Sequence, residues 1–111
     1  MTDLKLRWQQ LEETLLQRFD KIPDLNAILL LIGIQEIKNT KKEYTKEEKQ
    51  DAMHVAVCTL LMQSGYYKLE GYDVDGWPHF EQIKELPNNT VMEQEAFLKD
   101  HVLLFFEQHQ I

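Results

Sequence analysis

A single cysteine in 111 residues leaves no intramolecular disulfide framework to hold the chain, and it fits a reducing compartment. Four glycines and three prolines exclude collagen-like and low-complexity readings. Long apolar runs are missing as well. The most apolar segment, Leu25 to Ile37, is 13 residues long and contains Asn26, Gln35 and Glu36, whereas a membrane span needs about 20. The opening Met1-Thr2-Asp3-Leu4-Lys5 has no basic region followed by an apolar core, so no signal peptide is expected. Phosphate loops, dinucleotide fingerprints, serine elbows and zinc ribbons are all lacking. The expectation is a cytoplasmic protein with no cofactor.

Positive charge is also scarce. Twelve basic against nineteen acidic residues give a net charge of −7. Residues 1–37 hold four basic and six acidic groups, residues 38–50 five and three, and residues 51–111 three and ten. The whole excess therefore lies in the second half. Such a field repels phosphate backbones and anionic lipid, so neither nucleic acid nor membrane is an expected partner. The lysines Lys38, Lys41, Lys42, Lys46 and Lys49 are diluted by Glu43, Glu47 and Glu48, and they read as a solvated connector and helix start.

What remains is globular in composition, with 43% hydrophobic and 28% charged residues. A chain of this length can bury about two-thirds of its unfolded surface around one core, so residues 1–111 are read as a single domain. Leu4, Trp8, Leu11, Leu15, Phe19 and Ile22 recur at spacings of three and four, the stripe of an amphipathic helix. Pro23 should end it, and Asp24 can cap the next helix. That second helix, about Leu25 to Lys38, is apolar nearly all round and so belongs in the middle of a bundle. Gly33 costs helix propensity there, for which a close helix crossing is the usual compensation.

Thr45-Lys46-Glu47-Glu48 is a capping box. It opens a third helix with Met53, Ala56, Val57, Leu60 and Leu61 on one face, ending at Gly65. Thr90-Val91-Met92-Glu93 repeats the pattern and opens a last helix running to about His109. Between these helices two extended runs, Tyr66–Tyr72 and Trp77–Leu86, flank Asp73-Val74-Asp75-Gly76. A two-residue turn would set Glu70 against Glu81, which is unfavourable. A four-residue loop instead pairs Tyr72 with Trp77, Glu70 with His79, Leu69 with Phe80 and Lys68 with Glu81. Pro78 then needs an edge strand or a non-bonded position. The fold class is mainly α: a four-helix, bundle-like domain with a β-hairpin or extended lid, about 66–86, between the third and fourth helices.

Two groups could carry chemistry or binding. Tyr66, Tyr67, Tyr72, Trp77 and Phe80 crowd 15 residues of the hairpin. Tyr67, Leu69 and Phe80 would cover the core, leaving Tyr72, Trp77, Glu70 and His79 facing outward for a ligand or partner. Asp51, His54 and Cys58 fall at i, i+3 and i+7 on one helix face, and all three can ligate a transition metal, with Glu36 or His101 as a fourth group. Against that, di-iron bundles want two Glu-x-x-His motifs, and only Asp51-x-x-His54 is present. A Cys58–His54 nucleophile pair would need an oxyanion hole, which no Gly-rich loop suggests. Asp73-x-Asp75-Gly76 begins like a calcium loop, but Trp77 and Lys84 occupy later ligand positions, and Asx-turn chemistry explains it without metal.

Four strings, Met53-His54-Val55-Ala56-Val57-Cys58, Gly65-Tyr66-Tyr67, Asp73-Val74-Asp75-Gly76-Trp77-Pro78-His79 and Met92-Glu93-Gln94-Glu95, carry a resemblance. The segment from about Leu25 to Phe106 resembles a family of small uncharacterised proteins from Bacteroidetes-type bacteria. The resemblance brings no activity, cofactor or catalytic residue with it.

The leading functional expectation is a non-enzymatic interaction protein that self-associates or binds a protein partner. The stripe of the first helix is a candidate homodimer seam, unless it packs within its own chain. A second expectation is a helical metal- or ligand-binding protein or enzyme using Asp51, His54 and Cys58, or the Glu70/Trp77/His79 face. A third is an acidic inhibitor or immunity-type protein that captures a basic partner.

Overall fold

A computed structural model describes residues 2–38, 43–87 and 90–108. Lys41 and Lys42 of the basic connector, and the expected end of the last helix at His109, lie outside them. The chain is mainly helical, in the order α1 Thr2–Phe19, α2 Leu25–Glu36, α3 Lys46–Met62, β1 Tyr67–Tyr72, β2 Pro78–Gln82 and α4 Val91–Gln108. The two strands form an antiparallel hairpin between α3 and α4. No helix among the described residues is long and apolar enough to cross a membrane. The contacts gather into two compact units, one of residues 1–25 with 89–111 and one of residues 26–88.

The first unit holds α1 and α4. At the centre of the α1 stripe, Trp8, Leu11 and Leu15 are buried within the single chain. Its far end is open, with Phe19 and Ile22 40% and 53% exposed. The helix stops at Phe19, short of Pro23, because Asp20 adopts a left-handed φ of 62°. Arg7 Nη2 pairs with Glu107 Oε1 at 2.9 Å, and Lys99 Nζ lies 5.0 Å from the centre of the Trp8 ring. Thr90 caps α4 as its sequence demands: its Oγ1 accepts the Glu93 N–H at 3.2 Å, and Glu93 Oε1 accepts the Thr90 N–H.

The second unit holds α2, α3 and the hairpin. Ile28, Leu29, Ile32 and Gly33 of α2 are buried, while Leu31 is 39% exposed, so the helix is not covered on every side. Gly33 meets α3 at the Ala52 backbone, and a Cβ on Gly33 would run into the Ala52 carbonyl. That is the close crossing its sequence position suggests. The capping box at α3 is complete, with Thr45 Oγ1 accepting the Glu48 N–H at 3.1 Å and Glu48 Oε1 accepting the Thr45 N–H at 2.9 Å. At the other end, the Gly65 N–H donates to Met62 O and the Tyr66 N–H to Leu61 O. These two bonds, with Gly65 at φ 79°, form a Schellman motif and turn the chain from helix into strand.

The hairpin follows the expected register only in its outer half. Tyr67 pairs with Gln82, Lys68 with Glu81 and Leu69 with Phe80. Toward the loop the register shifts, and Gly71 pairs with His79 and Tyr72 with Pro78. The expected Tyr72–Trp77 and Glu70–His79 pairs are therefore corrected. The loop takes in Trp77 because Asp73 Oδ1 accepts the N–H groups of both Asp75 (2.9 Å) and Trp77 (3.0 Å), while the Asp73 N–H donates to Trp77 O. The extra loop residue is absorbed by a bulge that leaves Glu70 without a cross-strand partner. Pro78 opens an edge strand, where its missing N–H costs no ladder bond.

Candidate functional site

The turn at Gly65 and Tyr66 folds the hairpin back over α3. Between them lies an open groove of about 500 Å³. Glu48, Asp51, His54, Val55 and Cys58 line it from α3. Facing them are Tyr67 of β1, Asp73 and Trp77 of the loop, and Pro78, His79 and Phe80 of β2. The two groups that the sequence suggests separately thus share one groove. Asp51, His54 and Cys58 line it from the helix side, and Trp77 and His79 line it from the hairpin side.

Two other suggested residues do not join it. Glu70 sits at the bulge and is exposed. Tyr72 is 37% exposed, and its ring is occupied by Lys38, whose Nζ lies 4.1 Å from the ring centre. Lys38 also donates its backbone N–H to Gly76 O at 2.9 Å, so this lysine fastens the chain after α2 onto the hairpin loop. The sequence places Lys38 at the end of the second helix and in a solvated connector, with no sign of this contact. Sequence reasoning also missed Asp73, whose Oδ2 accepts from His79 Nε2 at 2.9 Å. The signal available was the Asx-turn pattern of Asp73-x-Asp75-Gly76, which placed Asp73 in a turn without revealing its reach to His79.

The electrostatics follow from these contacts. The His79 bond, helped by the Trp77 and Asp75 N–H groups, holds the Asp73 carboxyl below its ordinary value. Cys58 is buried, with its Sγ 3.6 Å from His54 Nε2, and burial pushes its thiol up. Desolvation also raises the Tyr67 phenol, with a contribution from Cys58. A thiol raised by burial is a poor nucleophile, because the thiolate is the reactive form.

Asp51, His54 and Cys58 share a helix face but do not form a ligand set. Among the described residues, no group of three or more His, Cys, Asp and Glu side chains could hold a metal ion. His101, the alternative fourth ligand, is buried in the first unit and donates its Nδ1–H to Phe97 O at 2.7 Å. Comparison with family models, curated proteins and solved structures finds no match to this chain.

Proposed function

We propose that the protein is a cytoplasmic, non-enzymatic binding protein that docks a protein partner in the groove between α3 and the hairpin. The observation that carries this reading is the concentration of Trp77, Phe80, Tyr67 and Pro78 on one side of a single open groove. Large, rigid side chains with polar tips give the most contact area for the least lost freedom, and they dominate interface energetics. Polar groups, Glu48, Asp51, His54, Asp73 and His79, line the same groove beside them, and interfaces likewise join aromatic anchors to polar contacts. Catalysis has less support, since the one thiol in the groove is buried and raised in pKa. Three of the four strings behind the Bacteroidetes-type resemblance, those beginning at Met53, Gly65 and Asp73, fall on α3, its cap and the hairpin. Membership of that family is part of the same proposal.

The test is selection of a random dodecapeptide library on the immobilised protein, followed by amide NMR mapping of the winners. Peptides that perturb Trp77, His54 and Phe80, and that lose binding to a Trp77→Ala variant with an otherwise native spectrum, are the expected outcome. Winners that perturb only α1 and α4 would refute the reading. Sedimentation velocity reports the homodimer form of the same idea, a dimer that Trp77→Ala dissociates.

A further inference from the structure

The groove has charge of one sign. Glu48, Asp51 and Asp73 line it, together with the imidazoles of His54 and His79, and no Lys or Arg contributes among the described residues. The three carboxylates are not equivalent. Asp73 is engaged by His79 and by two backbone N–H groups, and Glu48 closes the capping box at Thr45. The Asp51 carboxylate makes no hydrogen bond or ion pair among the described residues, although it lies exposed at the groove.

The aromatic rings show the complementary vacancy. Elsewhere in the molecule a lysine ammonium lies 4.1 to 5.0 Å from the ring centres of Tyr72, Tyr66 and Trp8. Trp77, half-buried in the groove, has no such cation among the described residues. Tryptophan is the best cation–π acceptor of the side chains. A groove offering an unpaired carboxylate and an uncovered tryptophan in a field of negative charge is complementary to a cation.

Building on the docking reading above, we propose that the occupant is a basic segment of another protein, which inserts a lysine or arginine side chain into this groove against Trp77 and Asp51. Such a side chain has both chemistries the lining calls for: a methylene stem to pack on Trp77, Pro78 and Phe80, and a charged head for the carboxylate. A phosphorylated or acidic segment is repelled by the same lining, and a purely apolar one would leave Asp51 desolvated without a partner.

The test uses the full chain labelled with ¹⁵N, in 50 mM salt. Its two tryptophans give two indole signals, and Trp77→Phe assigns them. The probes are capped hexalysine, hexaarginine, hexaglutamate and an uncharged Gly/Ser hexapeptide. Hexalysine or hexaarginine should move the Trp77 indole and the amides of Asp51 and His54 saturably, and raising the salt to 500 mM should weaken binding about tenfold or more. Asp51→Asn, a change on the helix surface that leaves the fold intact, should weaken binding about fivefold. Trp77→Leu should weaken it about fivefold to tenfold. Glu13→Gln, which removes an exposed carboxylate of α1, should change it less than about twofold.

Equal losses from Asp51→Asn and Glu13→Gln would overturn the proposal by showing attraction to net charge alone. Groove signals moved by the uncharged peptide but not by the cationic ones would overturn it while leaving the docking reading intact. If no peptide in this set, and none from the dodecapeptide selection, moves those signals, both fail.

Discussion

Replacing Gly33 with alanine tests the α2–α3 crossing directly, because two effects of known size oppose each other there. In an open helix, Gly→Ala stabilises by about 1 kcal/mol. Here the added methyl would run into the Ala52 carbonyl oxygen, lie 2.6 Å from the carbonyl carbon and 3.3 Å from Cα, where ordinary contact begins at 3.4 Å. Every obstructing atom belongs to the α3 backbone, so no rotamer change relieves the clash, and the helices must separate. Overpacking of this kind costs roughly 1–3 kcal/mol, and a rigid obstacle places Gly33→Ala at the upper end. After the helix-propensity gain, the net loss is about 2 kcal/mol.

For a chain of this length that loss corresponds to a melting temperature lower by about 8 °C. With a urea slope of roughly 1.5 kcal/mol/M, the midpoint falls by about 1.3 M. Circular dichroism at 222 nm measures both. An unchanged or higher melting temperature would refute the close crossing. Rescue by Ala52→Gly would refute the backbone as the obstacle, because removing the Ala52 methyl leaves its carbonyl in place.

The loop and the thiol give two further expectations. Asp73 has a depressed folded-state pKa, caused first by the His79 bond, so its stabilising contribution is fully present above the unfolded value of about 3.9 and is lost as pH falls through the folded one. Asp73→Asn should therefore be less stable than the parent at pH 6, with the gap narrowing in urea titrations as pH falls below about 3.9; a gap independent of pH would sink this account. Cys58, buried and raised in pKa, should react with a thiol-disulfide reagent at pH 7.5 far more slowly than free cysteine and reach the free rate in 6 M urea. Rapid native labelling would show that the groove opens to the thiol.

Features closed within a few residues were legible in the sequence, and those that depended on side chains meeting across a turn were not. The boxes at Thr45 and Thr90 and the cap at Gly65 involve partners three to five residues apart, so spacing alone identifies them. The early end of α1 was hidden because Asp20 takes a left-handed conformation that few non-glycine residues adopt. Pairwise compatibility fixed the outer hairpin register but failed near the loop. There the deciding contacts were the bonds Asp73 makes within its own loop, which no cross-strand pairing rule contains.

The site itself divides the same way. Helical periodicity puts Asp51, His54 and Cys58 on one face, and turn chemistry puts Trp77 and His79 at one end of the hairpin, so each half of the groove could be read separately. Their meeting depends on the direction in which the chain leaves α3. That direction is set by the Tyr66 N–H bonding back to Leu61 O, and by the Ile83 N–H bonding to Tyr66 O at 2.7 Å. Through the first bond the helix end aims β1, and through the second the returning strand is fixed to the same residue. A small set of backbone bonds around Tyr66 thus carries the hairpin over α3, and the groove results from that turn, which neither half of the sequence encodes alone.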